Sequence, residues 1–116
     1  MSCLFDSLNK FAKENSAQEL RQKICNFLSD NNKLMDDLTS EQVIDFESNI
    51  PLERYVSLMR QPCTMGGATE IKAFCIMYKL NVKVRSIPNG KEIDFIYHKK
   101  SPFVGLVWTG GHFDPM

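Results

Sequence analysis

The first two thirds of the chain repeat apolar residues at intervals of three and four positions, the spacing that gives an α-helix one apolar face. This spacing and its flanking start signals predict five helices: residues 3–13, 16–28, 39–46, 51–59 and 68–80. Ser16 and Glu19 have the spacing of a capping box, in which each residue caps a backbone N–H of the other. Thr39 or Ser40 is expected to cap the third helix, and Phe46 is expected on its apolar face.

The last third changes to the two-residue alternation of β-strands. Residues 82–87 alternate in this way, and residues 88–91, Pro-Asn-Gly-Lys, have the composition of a tight hairpin turn. Residues 93–97 continue as the partner strand, and residues 103–109 form a third strand. Helices followed by strands predict an α+β fold, a single domain over residues 1–116 whose helices pack against a small, mainly antiparallel sheet.

Composition argues against several classes of protein. The 116 residues include 14 basic and 14 acidic side chains, and a net charge of zero argues against binding to nucleic acid or to an anionic membrane. No apolar run approaches the roughly 18–20 residues that span a bilayer, and no secretory signal opens the sequence. The four cysteines lack C-x-x-C spacing, which argues against a zinc site and favours reduced, buried thiols. We expect a cytoplasmic monomer without a metal or other cofactor.

Two residues near the C-terminal end carry candidate chemistry. His112 and Asp114 are two positions apart, and in an extended segment such residues point to the same side. The Asp114 carboxylate is then placed to accept a hydrogen bond from His112 Nδ1 and to hold the ring in one tautomer. This is the orienting half of a nucleophile–base–orienter triad. A structural or surface role for the pair is the alternative.

Cys3 stands at the start of the first predicted helix. A helix N-terminus offers unpaired backbone N–H groups and positive partial charge, which favour a thiolate and, during a reaction, an oxyanion. Cys3 is therefore a candidate nucleophile. The alternative is a small N-terminal residue without chemical function.

Two charged stretches of the chain have the composition of solvated faces. Residues 36–53 are rich in Asp and Glu, which indicates a solvated face or, alternatively, a docking surface for a basic partner. The sheet region is basic through Lys83, Arg85 and the residues around Lys99. A solvated face is favoured over a nucleic-acid patch there, because no aromatic interleaving or RNA motif accompanies the basic residues. His98 belongs to this stretch and is expected at the surface.

Three motifs along the chain together resemble the ovarian-tumour (OTU) cysteine proteases. Cys3-Leu4-Phe5 is similar to the nucleophile segment of that family, and Gly66-Gly67 followed by Glu70-Ile71-x-Ala73 is similar to its W-G-G-x-x-E-[LI]-x-A-[LF] stretch. His112-Phe113-Asp114 matches its H-[YF]-[DN] ending. The motifs follow the family's order over essentially the whole chain, and the compact length resembles the viral branch. The resemblance implies a papain-like arrangement of helices and sheet.

The resemblance also implies a reaction. Cys3 would be the nucleophile, His112 the general base and then the general acid, and Asp114 the residue that orients His112. The backbone N–H groups of Ser2 and Cys3 would form the oxyanion hole. The implied substrate is the isopeptide bond after the Gly-Gly terminus of ubiquitin or a ubiquitin-like modifier.

A narrow cleft that admits only glycine would select the tail of such a modifier. Gly110, Gly111 and Trp108 are the predicted lining of that cleft. The surface that binds the body of the modifier is expected over residues 49–66 and the loops beside Gly110.

The chain departs from the family pattern at two places. OTU proteases usually carry a D-G-x-x segment before the nucleophile, whose backbone helps to build the oxyanion hole, and here Met1 and Ser2 stand before Cys3. Met65 replaces the aromatic residue of the W-G-G motif. An incomplete oxyanion hole leaves open a non-catalytic module that binds ubiquitin or another partner. A viral protease that cuts its own polyprotein is a further alternative.

Overall fold

The computed structural model of the chain describes residues 3–87 and 89–116, with Cys3 described through its backbone alone. Within these residues the chain forms five α-helices and six β-strands: α1 (Cys3–Ala12), α2 (Ala17–Ser29), β1 (Lys33–Met35), β2 (Leu38–Thr39), α3 (Ser40–Ser48), α4 (Leu52–Met59), α5 (Ala68–Tyr78), β3 (Asn81–Ser86), β4 (Glu92–Phe95), β5 (Phe103–Trp108) and β6 (Phe113–Pro115). The five predicted helices and the three predicted strands are all present. The α+β class is confirmed.

The sequence pattern does not predict three of the six strands. β1 and β2 pair as a small antiparallel hairpin, and β6 pairs with β5. Each has only two or three residues, too few for an alternation to be recognised. β4 ends earlier than predicted, because the Tyr97 N–H donates to Asn81 Oδ1 at 2.7 Å and not to a neighbouring strand.

Local hydrogen bonds explain where two of the helices begin. Ser16 Oγ accepts a hydrogen bond from the Glu19 N–H at 3.1 Å, as predicted, but the Glu19 carboxylate accepts from the Asn15 N–H instead of closing the capping box. The box is complete at α3, where Thr39 is the cap. Thr39 Oγ1 accepts from the Gln42 N–H, and Gln42 Oε1 accepts from the Thr39 N–H. The starts of α2 and α3 therefore agree with the prediction, and only the hydrogen-bond donor to the Glu19 carboxylate differs.

The main sheet has the strand order β4-β3-β5-β6. The pairs β3–β4 and β5–β6 are antiparallel because short turns connect them, whereas β3 and β5 run parallel. The sheet is therefore mainly antiparallel, as predicted, with one parallel pair at its centre. β6 lies at one edge of this sheet, and α1 packs against it.

The parallel pair depends on the loop that returns the chain from β4 to β5. Asn81, at the start of β3, is completely buried, and its side chain makes four hydrogen bonds to this loop. Its Nδ2 donates to the carbonyls of His98 and Ser101, each at 2.9 Å. Its Oδ1 accepts from the N–H groups of Tyr97 and His98. Asn81 thus supplies the partners that the backbone of this irregular segment lacks.

One face of the main sheet is buried. Val82, Val84 and Leu106 point from its two central strands into the core that they share with the helices. The core side of the sheet also carries Trp108 and Phe113, which are partly buried against this cluster.

The opposite face of the sheet is solvated and carries ion pairs. Lys83 Nζ lies 2.9 Å from Asp94 Oδ1, and Arg85 Nη2 lies 2.8 Å from Glu92 Oε2. The basic charge predicted for this region is therefore balanced locally by carboxylates on the neighbouring strand. His98 is exposed, as expected.

Two expected core positions are wrong. Phe46 is 87% exposed, because it lies two positions beyond the buried Ile44 of α3, about 200° around the helix. Cys63 is exposed, unlike the buried Cys25 and Cys75, because it lies in the turn after α4 and not on a packed helix face.

The acidic residues of segment 36–53 are all exposed, which is the arrangement of a solvated face. In the ranges 3–87 and 89–116, no helix is long and apolar enough to cross a membrane.

Replacing Asn81 by Ala removes its four hydrogen bonds and leaves buried groups of the loop without partners. We expect the free energy of unfolding to fall by about 2–4 kcal/mol, as measured by urea denaturation. Asn89→Ala is the control, because the Asn89 side chain accepts a hydrogen bond from Lys91 at an exposed turn. It should cost less than about 1 kcal/mol. Equal losses in the two variants would contradict this role of Asn81.

Candidate active site

The hairpin between β5 and β6 places His112. The Thr109 N–H donates to the His112 carbonyl at 3.0 Å, and the Thr109 hydroxyl donates to the same oxygen at 3.4 Å. Gly110 and Gly111 form the turn with φ angles of +84° and +132°. Added Cβ atoms at these glycines would meet no neighbour within 4 Å, so the backbone conformation and not the lack of space requires glycine.

The side chains of His112 and Asp114 are in contact. His112 Nε2 lies 3.2 Å from Asp114 Oδ1, as expected for residues i and i+2 of an extended segment. The contact uses Nε2 and not the predicted Nδ1, which leaves Nδ1 available to exchange a proton with another group. The two side chains are 47% and 57% exposed. A polar contact this open to water adds little stability, so its effect is on the orientation of the ring.

α1 covers the edge of β6 beside this pair. The Ser7 hydroxyl donates to the Phe113 carbonyl at 3.0 Å, and Ser7 is buried. Phe113 and Trp108 form a non-hydrogen-bonded pair of the β5–β6 ladder, flanked by hydrogen-bonded pairs. In such a pair the backbone groups point away from the partner strand, so the Phe113 carbonyl points away from β5 at the edge of the sheet. Cys3 lies four residues before Ser7, one helical turn away on the same side of α1. The start of α1 therefore lies at the strand that carries Phe113 and its neighbours His112 and Asp114.

The predicted site residues differ in how far the structure describes them. His112 and Asp114 are brought together. The Cys3 side chain and Ser2 lie outside the described residues, so their roles as nucleophile and oxyanion-hole donors stay predictions. Ser7 and Thr109 are contributors that the sequence pattern does not single out.

The Gly66-Gly67 segment packs against the first turn of α1. A Cβ atom on Gly66 would lie 2.7 Å from Leu4 Cδ2 and 3.0 Å from Phe5 Cε2, whereas a Cβ atom on Gly67 would meet no neighbour within 4 Å. Gly66 therefore permits a close approach to the two residues that follow Cys3. Met65, at the place of the family's aromatic residue, is 56% exposed and does not form part of the buried core.

Glu70 holds the other end of this segment. It is 1% exposed, and its carboxylate accepts hydrogen bonds from the Gly67 N–H at 2.7 Å and from the Tyr55 hydroxyl at 2.5 Å. Burial raises the pKa of Glu70, and both hydrogen bonds act in the opposite direction because they favour the charged form. Burial, with the nearby carboxylate of Glu70, also raises the pKa of Tyr55. Glu70 thus links the N-terminus of α5 to α4.

An apolar cavity of about 390 Å³ lies beside the His112 hairpin. Its walls include Ala68 and Ile71 of α5 and Phe95, Trp108 and Phe113 of the sheet. The predicted substrate-tail residue Trp108 therefore lines a groove, whereas the two glycines after it lie in the exposed turn. The tail cleft itself stays a prediction.

Two cysteines have suppressed reactivity. Burial raises the pKa of Cys25 to about 11 and the pKa of Cys75 to about 12, so both remain protonated thiols near neutral pH. Cys63 is exposed. Across the part of the chain that the structure describes, no three His, Cys, Asp or Glu side chains converge as a metal site would require.

Comparison with protein families agrees with this arrangement. The family model of the OTU-like cysteine proteases matches residues 2–106. The chain therefore belongs to the OTU-like cysteine protease family. The match ends before His112 and Asp114, whose assignment depends on the H-x-D motif and on their side-chain contact. No curated protein matches the chain in sequence.

Three solved structures share the fold. An OTU domain in complex with ubiquitin has a TM-score of 0.78 and 21% sequence identity, over 98% of this chain and 62% of that one. The OTUD1 OTU domain has a TM-score of 0.71 and 17% identity, over 98% and 77%. The viral OTU domain protease from Dera Ghazi Khan virus has a TM-score of 0.70 and 15% identity, over 98% and 72%. The predicted OTU-like fold is confirmed, and the chain spans 62% of the length of the ubiquitin-bound domain.

Replacing Gly66 by Ala forces a methyl group against Leu4 and the Phe5 ring. We expect this overpacking to lower the free energy of unfolding by about 1–3 kcal/mol, measured by urea denaturation. Gly67→Ala is the matched control, because its methyl group would enter open space, and a loss below about 1 kcal/mol is expected. A larger loss at Gly67 than at Gly66 would contradict the close approach.

Replacing Ser7 by Ala leaves the Phe113 carbonyl without its donor. Ser40 is the control, because this buried serine also donates to a backbone carbonyl, that of Asn32 at 3.2 Å, far from β6 along the chain. Ser7→Ala should lose about 1–2 kcal/mol of unfolding free energy, and Ser40→Ala about 0.5–1.5 kcal/mol, because the Asn32 carbonyl keeps the Ser40 N–H as a donor. Only Ser7→Ala should also slow the alkylation of Cys3, by about tenfold, measured in a Cys63→Ser background. Equal Cys3 rates in both variants would show that the Ser7 contact does not position α1.

Proposed function

We propose that this protein is a cysteine deubiquitinase, which cleaves the isopeptide bond after the C-terminal Gly-Gly of ubiquitin or a ubiquitin-like modifier. The observation that carries the proposal is the docking of α1 on β6. The Ser7–Phe113 hydrogen bond brings the helix that begins at Cys3 to the strand that follows His112. Membership of the OTU-like cysteine protease family supports the same chemistry.

The proposed reaction begins with the Cys3 thiol. Its position at the N-terminus of α1 favours the thiolate, because the helix offers unpaired N–H groups and positive partial charge. His112 takes the thiol proton on Nδ1, while Asp114 holds Nε2 and the ring orientation. The thiolate then attacks the carbonyl carbon of the scissile bond, and the oxygen of that carbonyl becomes an oxyanion.

The second half of the reaction uses the same histidine. His112 returns its proton to the leaving lysine amine, and a thioester remains between Cys3 and the modifier. His112 then takes a proton from water as the water attacks the thioester. The C–S bond breaks, His112 gives this proton to the Cys3 sulfur, and the modifier leaves as a carboxylic acid that ionises in water. The backbone N–H groups of Cys3 and Ser2 are the proposed oxyanion donors, and loss of one such donor typically costs 10²–10³ in rate. These steps use a thiol, an imidazole and water.

The proposed tail cleft lies between α5 and the β5–β6 hairpin. The apolar groove formed by Trp108, Phe113 and Ile71 leads to the strand that follows His112, and it suits the apolar residues of an extended peptide. Gly110 and Gly111 leave the approach to His112 free of side chains. We also propose that the protein is a monomer and that it lies in the cytoplasm, a location that free thiols at Cys25, Cys63 and Cys75 support.

Ubiquitin is the proposed partner because one domain with this fold was solved in complex with ubiquitin. The direct test is the reaction of the chain with ubiquitin that carries a C-terminal electrophile, followed by mass spectrometry. We expect one covalent adduct with the wild-type chain, none with Cys3→Ala, and at least a hundredfold slower formation with His112→Ala, on the scale of general-base catalysis.

The chain offers a matched control for each residue. Cys63→Ala removes the exposed cysteine and His98→Ala the exposed second histidine, and both variants should react as the wild type does. An adduct that survives Cys3→Ala but disappears in Cys63→Ala would contradict the assignment. If the chain binds ubiquitin but forms no adduct with ubiquitin or with related modifiers, it is instead a non-catalytic ubiquitin-binding module.

A further inference from the structure

Arg21 of α2 is completely buried, although arginine is normally a surface residue. Its Nη1 donates to the Met59 carbonyl at 2.8 Å, and its Nη2 donates to the Pro62 carbonyl at 3.2 Å. Its guanidinium carbon lies 4.2 Å from the centroid of the Phe5 ring. Among the described residues, no carboxylate lies within ion-pair distance of this guanidinium.

This burial is unfavourable by itself. Removing water from the guanidinium destabilises its charge, and burial accordingly lowers the pKa of Arg21. The burial is offset by the two carbonyls that Arg21 binds, at the end of α4 and in the turn that follows it. These contacts fix residues 59–62 and the Phe5 ring relative to α2, which points to a geometric role for Arg21.

The contacts of Arg21 connect to the first turn of α1 by two routes, one direct and one through residues 59–67 (the 59–67 segment). Arg21 holds residues 59–62, the beginning of this segment, which also contains Gly66. Gly66 in turn approaches the edge of the Phe5 ring, whose face lies on Arg21. Phe5 is thus held from two sides, and it follows Cys3 by only two positions.

We propose that Arg21 is a positioning residue for Cys3. Through Phe5 and the 59–67 segment, it sets where the first turn of α1 lies relative to β6. The inference depends on the proposed function only in taking Cys3 as the nucleophile. Arginine suits this role better than lysine, because its planar fork reaches two carbonyls while its face lies on a ring.

The test compares Arg21→Lys and Arg21→Met with Gln22→Met in the full chain. Gln22 is a matched control because it also links α2 to the end of α4: its Nε2 donates to the Arg60 carbonyl at 3.1 Å, and its Oε1 accepts from Arg60 Nη1 at 2.8 Å. Turnover is measured with ubiquitin that carries a C-terminal fluorogenic amide. Both Arg21 variants should lower kcat by about 10–100-fold with KM changed less than about twofold, since a displacement near 1 Å has effects of this size. Gln22→Met should leave kcat within about twofold of wild type.

Hydrogen exchange gives a second readout that needs no activity. In the Arg21 variants, amides 7–8 of α1 and the amides of residues 61 and 63–67 should exchange faster together, whereas Gln22→Met should leave amides 7–8 unchanged. Faster exchange confined to residues 61–67, or a kcat loss equal to that of Gln22→Met, would overturn the proposal. If the wild-type chain shows no turnover, the proposed function fails, and the exchange of amides 7–8 alone decides whether Arg21 positions α1.

Phe5→Leu provides the deciding variant if the Arg21 variants do not fold. It removes the ring and keeps Arg21 with its two carbonyl partners. We expect kcat to fall about tenfold, in the same direction as for Arg21→Lys, with KM unchanged. An unchanged kcat in folded Phe5→Leu would overturn the proposal.

Discussion

The unpaired edge of β6 is the constraint on which the candidate site depends. An edge strand presents backbone carbonyls and N–H groups that need partners, and here α1 covers the edge with the hydroxyl of Ser7 bound to the Phe113 carbonyl. The two residues are 106 positions apart in the chain. One hydrogen bond, with the packing around it, thereby joins the helix that begins at Cys3 to the strand that contains Asp114. Without this docking, the three motifs of the sequence would share no common site.

β6 itself depends on features further back in the chain. It is placed by β5, which lies in the middle of the sheet because it pairs in parallel with β3. That pairing requires an irregular return loop, whose backbone groups are satisfied by the buried side chain of Asn81. The turn of Gly110 and Gly111 then reverses the chain into β6. The orientation of His112 toward Asp114 is the last step of this series. The buried side-chain amide of Asn81, which lies outside the site, therefore contributes to the geometry of the site.

Two buried ionisable residues hold the 59–67 segment from its two ends. Arg21 donates to carbonyls at its beginning, and Glu70 accepts from the Gly67 N–H at its end. An irregular segment beside the core needs partners for its backbone groups. These hydrogen bonds explain why both side chains are tolerated inside the protein. They also explain how Gly66 comes to lie against Phe5 and support α1.

The sequence by itself determined what depends on neighbouring residues: the helices, the hairpin at 88–91, and the common side of His112 and Asp114. Helical periodicity, turn composition and strand alternation act over a few positions, so they are readable before any fold is known. Only the tertiary structure decided the parallel β3–β5 pair, the strand β6, the exposure of Phe46 and the burial of Arg21. It also decided that Nε2 and not Nδ1 of His112 meets Asp114. These features depend on contacts between segments that are far apart in the chain. The free energy of such contacts cannot be inferred from a local sequence pattern.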